Sequence, residues 1–157
     1  MHIAPDYKMY LESNGGTVNR DDFYGICNAY HSHTVYNGRL QSCDFTGKTG
    51  TKIVACIAGH SHADNVVDAG AVRNGEDKNG NMVELKNELP CKIIVITCAM
   101  MSGTGTNAKD DYTAFRPARK SKTVTQDAWD TMVYRPDLNK IYMIRFGAGE
   151  DREIDVN

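Results

Sequence analysis

The chain has 157 residues, 41% of them hydrophobic and 24% charged, with a formal net charge of -2. That length suits one ordinary domain with a buried core, and the balance excludes a disordered chain. A near-neutral surface exerts no general pull on nucleic acid or on an anionic membrane. No apolar run nears the ~20 residues that a bilayer crossing needs.

Residues 1–10 carry Pro5 and Asp6 where a secretory leader needs an apolar stretch, so no signal peptide and a cytoplasmic or phage-associated location are expected. Residues 19–31 read as a helix. Phe23, Ile26, Cys27 and Tyr30 recur at helical spacing, and Asn19 precedes Asp21 and Asp22 in the first turn. Residues 43–51 are rich in Gly and Thr and read as a turn. Residues 52–58 form a short, nearly continuous apolar run, which fits a strand buried on both faces, and Gly59 ends it. Residues 91–98 form a second such strand.

Between those strands, residues 73–80 are polar and hold Asn79-Gly80, a favoured hairpin turn, with possible strands at 66–72 and 81–85. Residues 101–125 read as a long, partly mobile loop. Residues 129–134 and 140–146 are strand-like, and residues 136–139 supply the turn between them. Five cysteines (Cys27, Cys43, Cys56, Cys91, Cys98) without a CxxC pair suggest reduced thiols and not a disulfide framework or zinc ribbon. No internal repeat or linker divides the chain, so a single domain over 1–157 is expected.

The chemistry concentrates at Gly59-His60-Ser61-His62, directly after a core strand. The carboxyl end of such a strand faces a crevice in layered α/β proteins. Gly59 leaves room for the backbone to bend. Neutral imidazole is the commonest nitrogen ligand of divalent metals, so His60 and His62 could each hold one. Two loop histidines of no special role fit the same residues, and the spacing alone leaves both readings open. Asp64 and Asn65, or Cys43 and Asp44, could orient such ligands, with Asp64 favoured by its place beside the histidine turn. His31 and His33 also form an HxH pair, but at a helix end, where they read as surface residues. Arg116, Arg119, Lys120 and Lys122 could meet a phosphate, although a solvated loop explains them as well.

The order of these features resembles the calcineurin-like metallophosphoesterases. Their motifs run Asp-x-His, Gly-Asp, Gly-Asn-His-Asp/Glu, a lone His after a strand, and Gly-His-x-His. Residues 59–62 match the last, and Met1-His2-Ile3-Ala4-Pro5 looks like the remainder of the fourth. The strands around residues 129–152, with Gly147-Ala148-Gly149-Glu150-Asp151-Arg152, resemble the closing hairpin of bacterial and phage-encoded members.

The resemblance implies the C-terminal part of an α/β, two-sheet sandwich flanked by helices. It implies that His2 and His60 ligate one divalent metal and His62 a second, the metal being Mn, Fe, Zn or Ni. It also implies hydrolysis of a phosphate mono- or diester. The first three motifs are absent from this sequence, so the isolated chain is expected to be incomplete or inactive. Apolar surface left by the absent half would be covered by a homo-oligomer or by that half itself. The alternative is a non-catalytic structural or interaction module of phage origin.

Overall fold

The computed structural model describes residues 20–39, 41–59, 64–76, 81–97, 108–109 and 115–156. Among them are one α-helix and twelve short strands, a mixed α/β architecture. None of the described helices is long and apolar enough to cross a membrane.

The described residues fall into two compact units. One draws on the described residues within 20–56 and 67–93, the other on those within 57–66 and 94–156.

In the first unit, α1 (Arg20–Ser32) forms where the apolar spacing predicts it, with Asp21 and Asp22 in its first turn and His31 in its last. Its end explains the second HxH. His33 adopts φ 55°. Its N–H donates to Tyr30 O at 3.3 Å, and the Thr34 N–H donates to Ala29 O at 2.9 Å. That pair of bonds is a Schellman stop, in which glycine usually takes the left-handed position. His31 and His33 are therefore helix-terminating residues, and neither is fully exposed. The Nδ1 atoms of both are buried and lack a partner, so the helix-end placement holds while the residues are half-buried and not fully at the surface.

Residues 43–51 are not all turn. Strand β1 (Val35–Asn37) pairs antiparallel with β2 (Ser42–Asp44), and the turns follow from Thr46. Phe45, just past β2, packs edge-on against Tyr30 of the helix at 5.4 Å. The Tyr36 hydroxyl donates to Asp22, which ties the hairpin back to the helix start and pushes the phenol up to about 12.

The two apolar runs form β3 (Ala55–Ala58) and β7 (Lys92–Val95), which share a sheet with β4 (Asn65–Val67) in the order β3-β7-β4. Only the central strand is buried on both faces: Ile93 and Ile94 are 0% exposed. Among the described residues β3 lies at the edge of this sheet; it starts three residues later than expected and is half-buried. The intervening polar stretch is a hairpin of β5 (Val72–Glu76) and β6 (Met82–Lys86). Much of residues 73–80 is thus strand, and Asn79-Gly80 lies outside the described residues.

Two thiols of this unit are held protonated. Burial pushes Cys91 up to about 12 and Cys27 up to about 11, and nearby Cys56 adds to both. A raised pKa stabilises the fold below the unfolded thiol value of ~8.5, and that stability is lost as pH rises through the folded value. We expect alkaline loosening between about pH 9 and 12. Iodoacetamide at pH 8 should leave Cys27 and Cys91 unmodified until urea unfolds the chain. Rapid native labelling of Cys91, read by peptide mass mapping, would contradict this.

In the second unit, residues 101–125 are not one continuous loop. A short pair of strands, β8 (Ala108–Lys109) and β9 (Phe115–Arg116), is followed by a 3-10 turn, Val124–Gln126. The closing hairpin is present as β10 (Ala128–Arg135) and β11 (Lys140–Gly147), and β12 (Arg152–Asp155) adds a third strand. Alternation puts Ile141 and Met143 of β11 and Ile154 of β12 on the buried face. Trp129, Val133, Ile144 and Phe146 lie on the exposed face.

Candidate functional site

Of His2, His60, His62 and Asp64, the structure describes Asp64 alone. His2, His60 and His62 lie outside the described residues, as does Cys98. Gly59 directly follows β3 and Asp64 directly precedes β4, so the described chain stops and resumes on either side of the two histidines.

Asp64 is 6% exposed. Its Oδ1 accepts from the Thr97 main-chain N–H at 3.1 Å and from an Arg145 terminal nitrogen at 2.8 Å. An Arg152 terminal nitrogen stands 3.3 Å away. The network continues to Asp130, whose two oxygens accept from Arg145 Nε at 2.7 Å and from its terminal nitrogen at 3.0 Å. Arg152 donates to Asp130 at 3.0 Å and to the Val95 carbonyl at 3.2 Å. Two carboxylates thus face two guanidinium groups. The side chains of Arg145 and Asp130 are each 1% exposed.

The strand register makes this pairing. Asp130 stands directly opposite Arg145 across β10 and β11, and Arg152 opposite Met143 across β11 and β12. All three point to the face that carries Ile141 and Ile154. Burial alone would push the Arg145 guanidinium down, but its bonds to Asp130 and Asp64 outweigh that and raise it. It is a permanent cation.

The Gly147-Ala148-Gly149 segment wraps the same guanidinium. The Ala148 carbonyl accepts from Arg145 at 2.8 Å, and Asp151 Oδ1 accepts from the Arg145 main-chain N–H at 2.7 Å. Gly147 has φ 93°, and a side chain there would overlap the Asp127 carbonyl. Gly149 has φ 105°, with Arg145 lying where its Cβ would be. Both positions require glycine.

The sequence pattern points to Asp64 but not to its partners Arg145 and Arg152, nor to Asp130, which shares them. Charges at inward positions of otherwise apolar strands were the available signal. The other candidates fare differently. Asp44 Oδ1 takes the Thr46 N–H at 2.9 Å and the Thr46 hydroxyl at 2.7 Å, which lowers its pKa and makes it a local turn residue. Arg119 donates to Thr97 Oγ1 at 2.8 Å, whereas Lys120 and Lys122 are exposed.

Among the described residues, no group of three or more His, Cys, Asp or Glu is placed to hold a metal. Comparison of the chain with family models, curated proteins and solved structures finds no match in any of the three.

Proposed function

We propose that the chain is the C-terminal part of a metal-dependent phosphoesterase of the calcineurin-like type, a two-sheet α/β sandwich. It would hydrolyse a phosphate mono- or diester once its remaining motifs are supplied. The observation that carries this is Asp64. Two residues beyond His62, the chain is locked by the buried Arg145, the part-buried Arg152 and a main-chain N–H. A turn of ordinary surface histidines needs no such anchor, whereas metal ligands must be held to within about half an ångström.

His60 and His2 would hold one divalent cation and His62 the other. When bound, such cations activate water and neutralise phosphate charge. In this reading Asp64 is not a metal ligand; its Oδ1 serves Arg145, Arg152 and Thr97. Its part is to fix the end of the turn. Three histidines over two cations leave each with one or two protein ligands, too few for a tight site.

The isolated chain should therefore bind manganese or zinc weakly, and His60→Ala and His62→Ala should each abolish that binding. It should not hydrolyse bis-p-nitrophenyl phosphate above a metal-only blank. A separate polypeptide carrying the absent motifs should restore some rate. Tight stoichiometric binding by the isolated chain would show that other residues complete the site. Turnover by the wild type that His60→Ala removes would make the chain an enzyme on its own. Metal binding indifferent to both substitutions would overturn the assignment and leave the non-catalytic module.

A further inference from the structure

Strand β10 is an edge that nothing among the described residues covers. It pairs with β11 alone, and residues 131–135 are all exposed. The Ala148 N–H donates to the Asp127 carbonyl. Antiparallel alternation then turns the main-chain groups of Trp129, Thr131, Val133 and Arg135 toward β11. Those of Asp130, Met132 and Tyr134 face outward.

Monomeric proteins blunt such edges with a bulge, a proline, lysines or an inward charge. Residues 129–134 hold no proline and no lysine, and their register with β11 is uninterrupted. The one inward charge, Asp130, is neutralised by Arg145 and Arg152. The outer face beside this edge is apolar. Trp129 is 50% exposed and stacks on Phe146 at 5.2 Å, with Val133 and Ile144 alongside.

We propose that β10 pairs antiparallel with β10 of a second copy about a two-fold axis at Met132, joining two three-stranded sheets into one of six strands. The register follows from the edge. With Met132 opposite its own counterpart, Asp130 and Tyr134 exchange bonds across the axis, and every outward group from 130 to 134 is matched. A shift of two residues one way brings in Ala128, which is 1% exposed. A shift the other way brings in Pro136, which has no N–H. On the apolar face this register sets Thr131 beside Val133 of the second copy. It also sets Arg135 beside the Trp129 ring, a cation over an aromatic face on each side of the axis. The match of edge, cation and ring is self-complementary, as an isologous interface requires. The inference does not depend on the reaction the chain performs.

The test is sedimentation velocity on the full chain from about 1 to 100 μM, the range in which small interfaces assemble. A concentration-dependent dimer is expected. Trp129→Arg, which sets two arginines against each other, should weaken it by about tenfold or more. Adding Arg135→Glu to that variant should restore it. Thr131→Lys, at an exposed position, should also weaken it without unfolding the chain. Ile144→Lys, on the same face but on β11, should leave it nearly intact. Amide exchange at Met132 should slow as the dimer forms. A monomer throughout the range would overturn the proposal. So would a dimer that Ile144→Lys abolishes and Trp129→Arg does not, which would mean face-to-face stacking or another occupant of the patch.

Discussion

Replacing Arg145 by methionine is expected to destabilise the chain by about 3–5 kcal/mol, the cost of stranding buried charges. The guanidinium is the common partner of Asp64, Asp130 and the Ala148 carbonyl. Methionine fills much of its volume, so lost packing is the smaller part of the effect. What remains is two carboxylates that share one guanidinium, Arg152, whose Nε is already buried without a partner. Arg145→Lys keeps the charge but not the planar fork that spans two carboxylates, and should fall between the two. Removing one stranded charge as well, in Arg145→Met with Asp130→Asn, should recover part of the loss through coupling between the sites. Urea unfolding of the four proteins measures this. An Arg145→Met variant within about 1 kcal/mol of the wild type would show that the network contributes little, and Asp64 would lose its standing as an anchor.

The same network shows why only half of this region was readable from the sequence. The hairpin of β10 and β11 announces itself by alternation, and residues 136–139 by turn chemistry. β7 announces itself as an unbroken run of β-branched side chains. Asp64 was reachable because it is adjacent in sequence to the histidine turn. Arg145 and Arg152 were not, since their partner lies some eighty residues away and only strand register brings them together. Arg145 also reads as an ordinary polar residue in an alternating strand. Its inward direction becomes visible only when Met143 and Ile141 are counted on the same face.

β3 and residues 43–51 were misjudged for a related reason. Composition reports how apolar or flexible a segment is, but not whether it lies at the centre or edge of a sheet. His33 does lie at the helix end, as expected, but its capping role was not legible, because the left-handed position that ends a helix usually holds glycine and a histidine there carries no mark of its role.

Asn87 is the second residue whose loss should be large, and nothing in its sequence neighbourhood points to it. It follows β6 in an exposed-looking polar stretch, yet it is 1% exposed. Its Nδ2 donates to the Asp68 carbonyl at 2.9 Å and the Cys91 carbonyl at 3.1 Å, with the Val67 carbonyl more distant at 3.4 Å. Its Oδ1 accepts from the Leu89 N–H at 3.1 Å. Its own N–H donates to Ala71 at 2.9 Å, and its carbonyl accepts from Gly70 at 3.0 Å. One side chain therefore satisfies main-chain groups on two stretches, 67–68 and 89–91, that flank the β5–β6 hairpin.

Asn87→Leu has a similar volume but leaves the Cys91 carbonyl and the Leu89 N–H buried without partners. At ~1–3 kcal/mol for each such group, and with some relaxation, a net loss of about 3–4 kcal/mol is expected. Asn87→Asp is the sharper test. It keeps the acceptor for Leu89 but turns a carboxylate oxygen toward the Asp68 and Cys91 carbonyls, where nothing donates to it. Its folded pKa must then rise above the unfolded value of ~3.9. By linkage, stability in this variant is greatest below that unfolded value, where the carboxyl is protonated and again donates. It is lost as pH rises through the folded value. The gap in melting temperature between wild type and Asn87→Asp should accordingly be wide at pH 7 and narrow as pH falls toward about 4, while the gap for Asn87→Leu should not change with pH in that way. A constant gap for Asn87→Asp would mean that the amide does not donate where the structure places it.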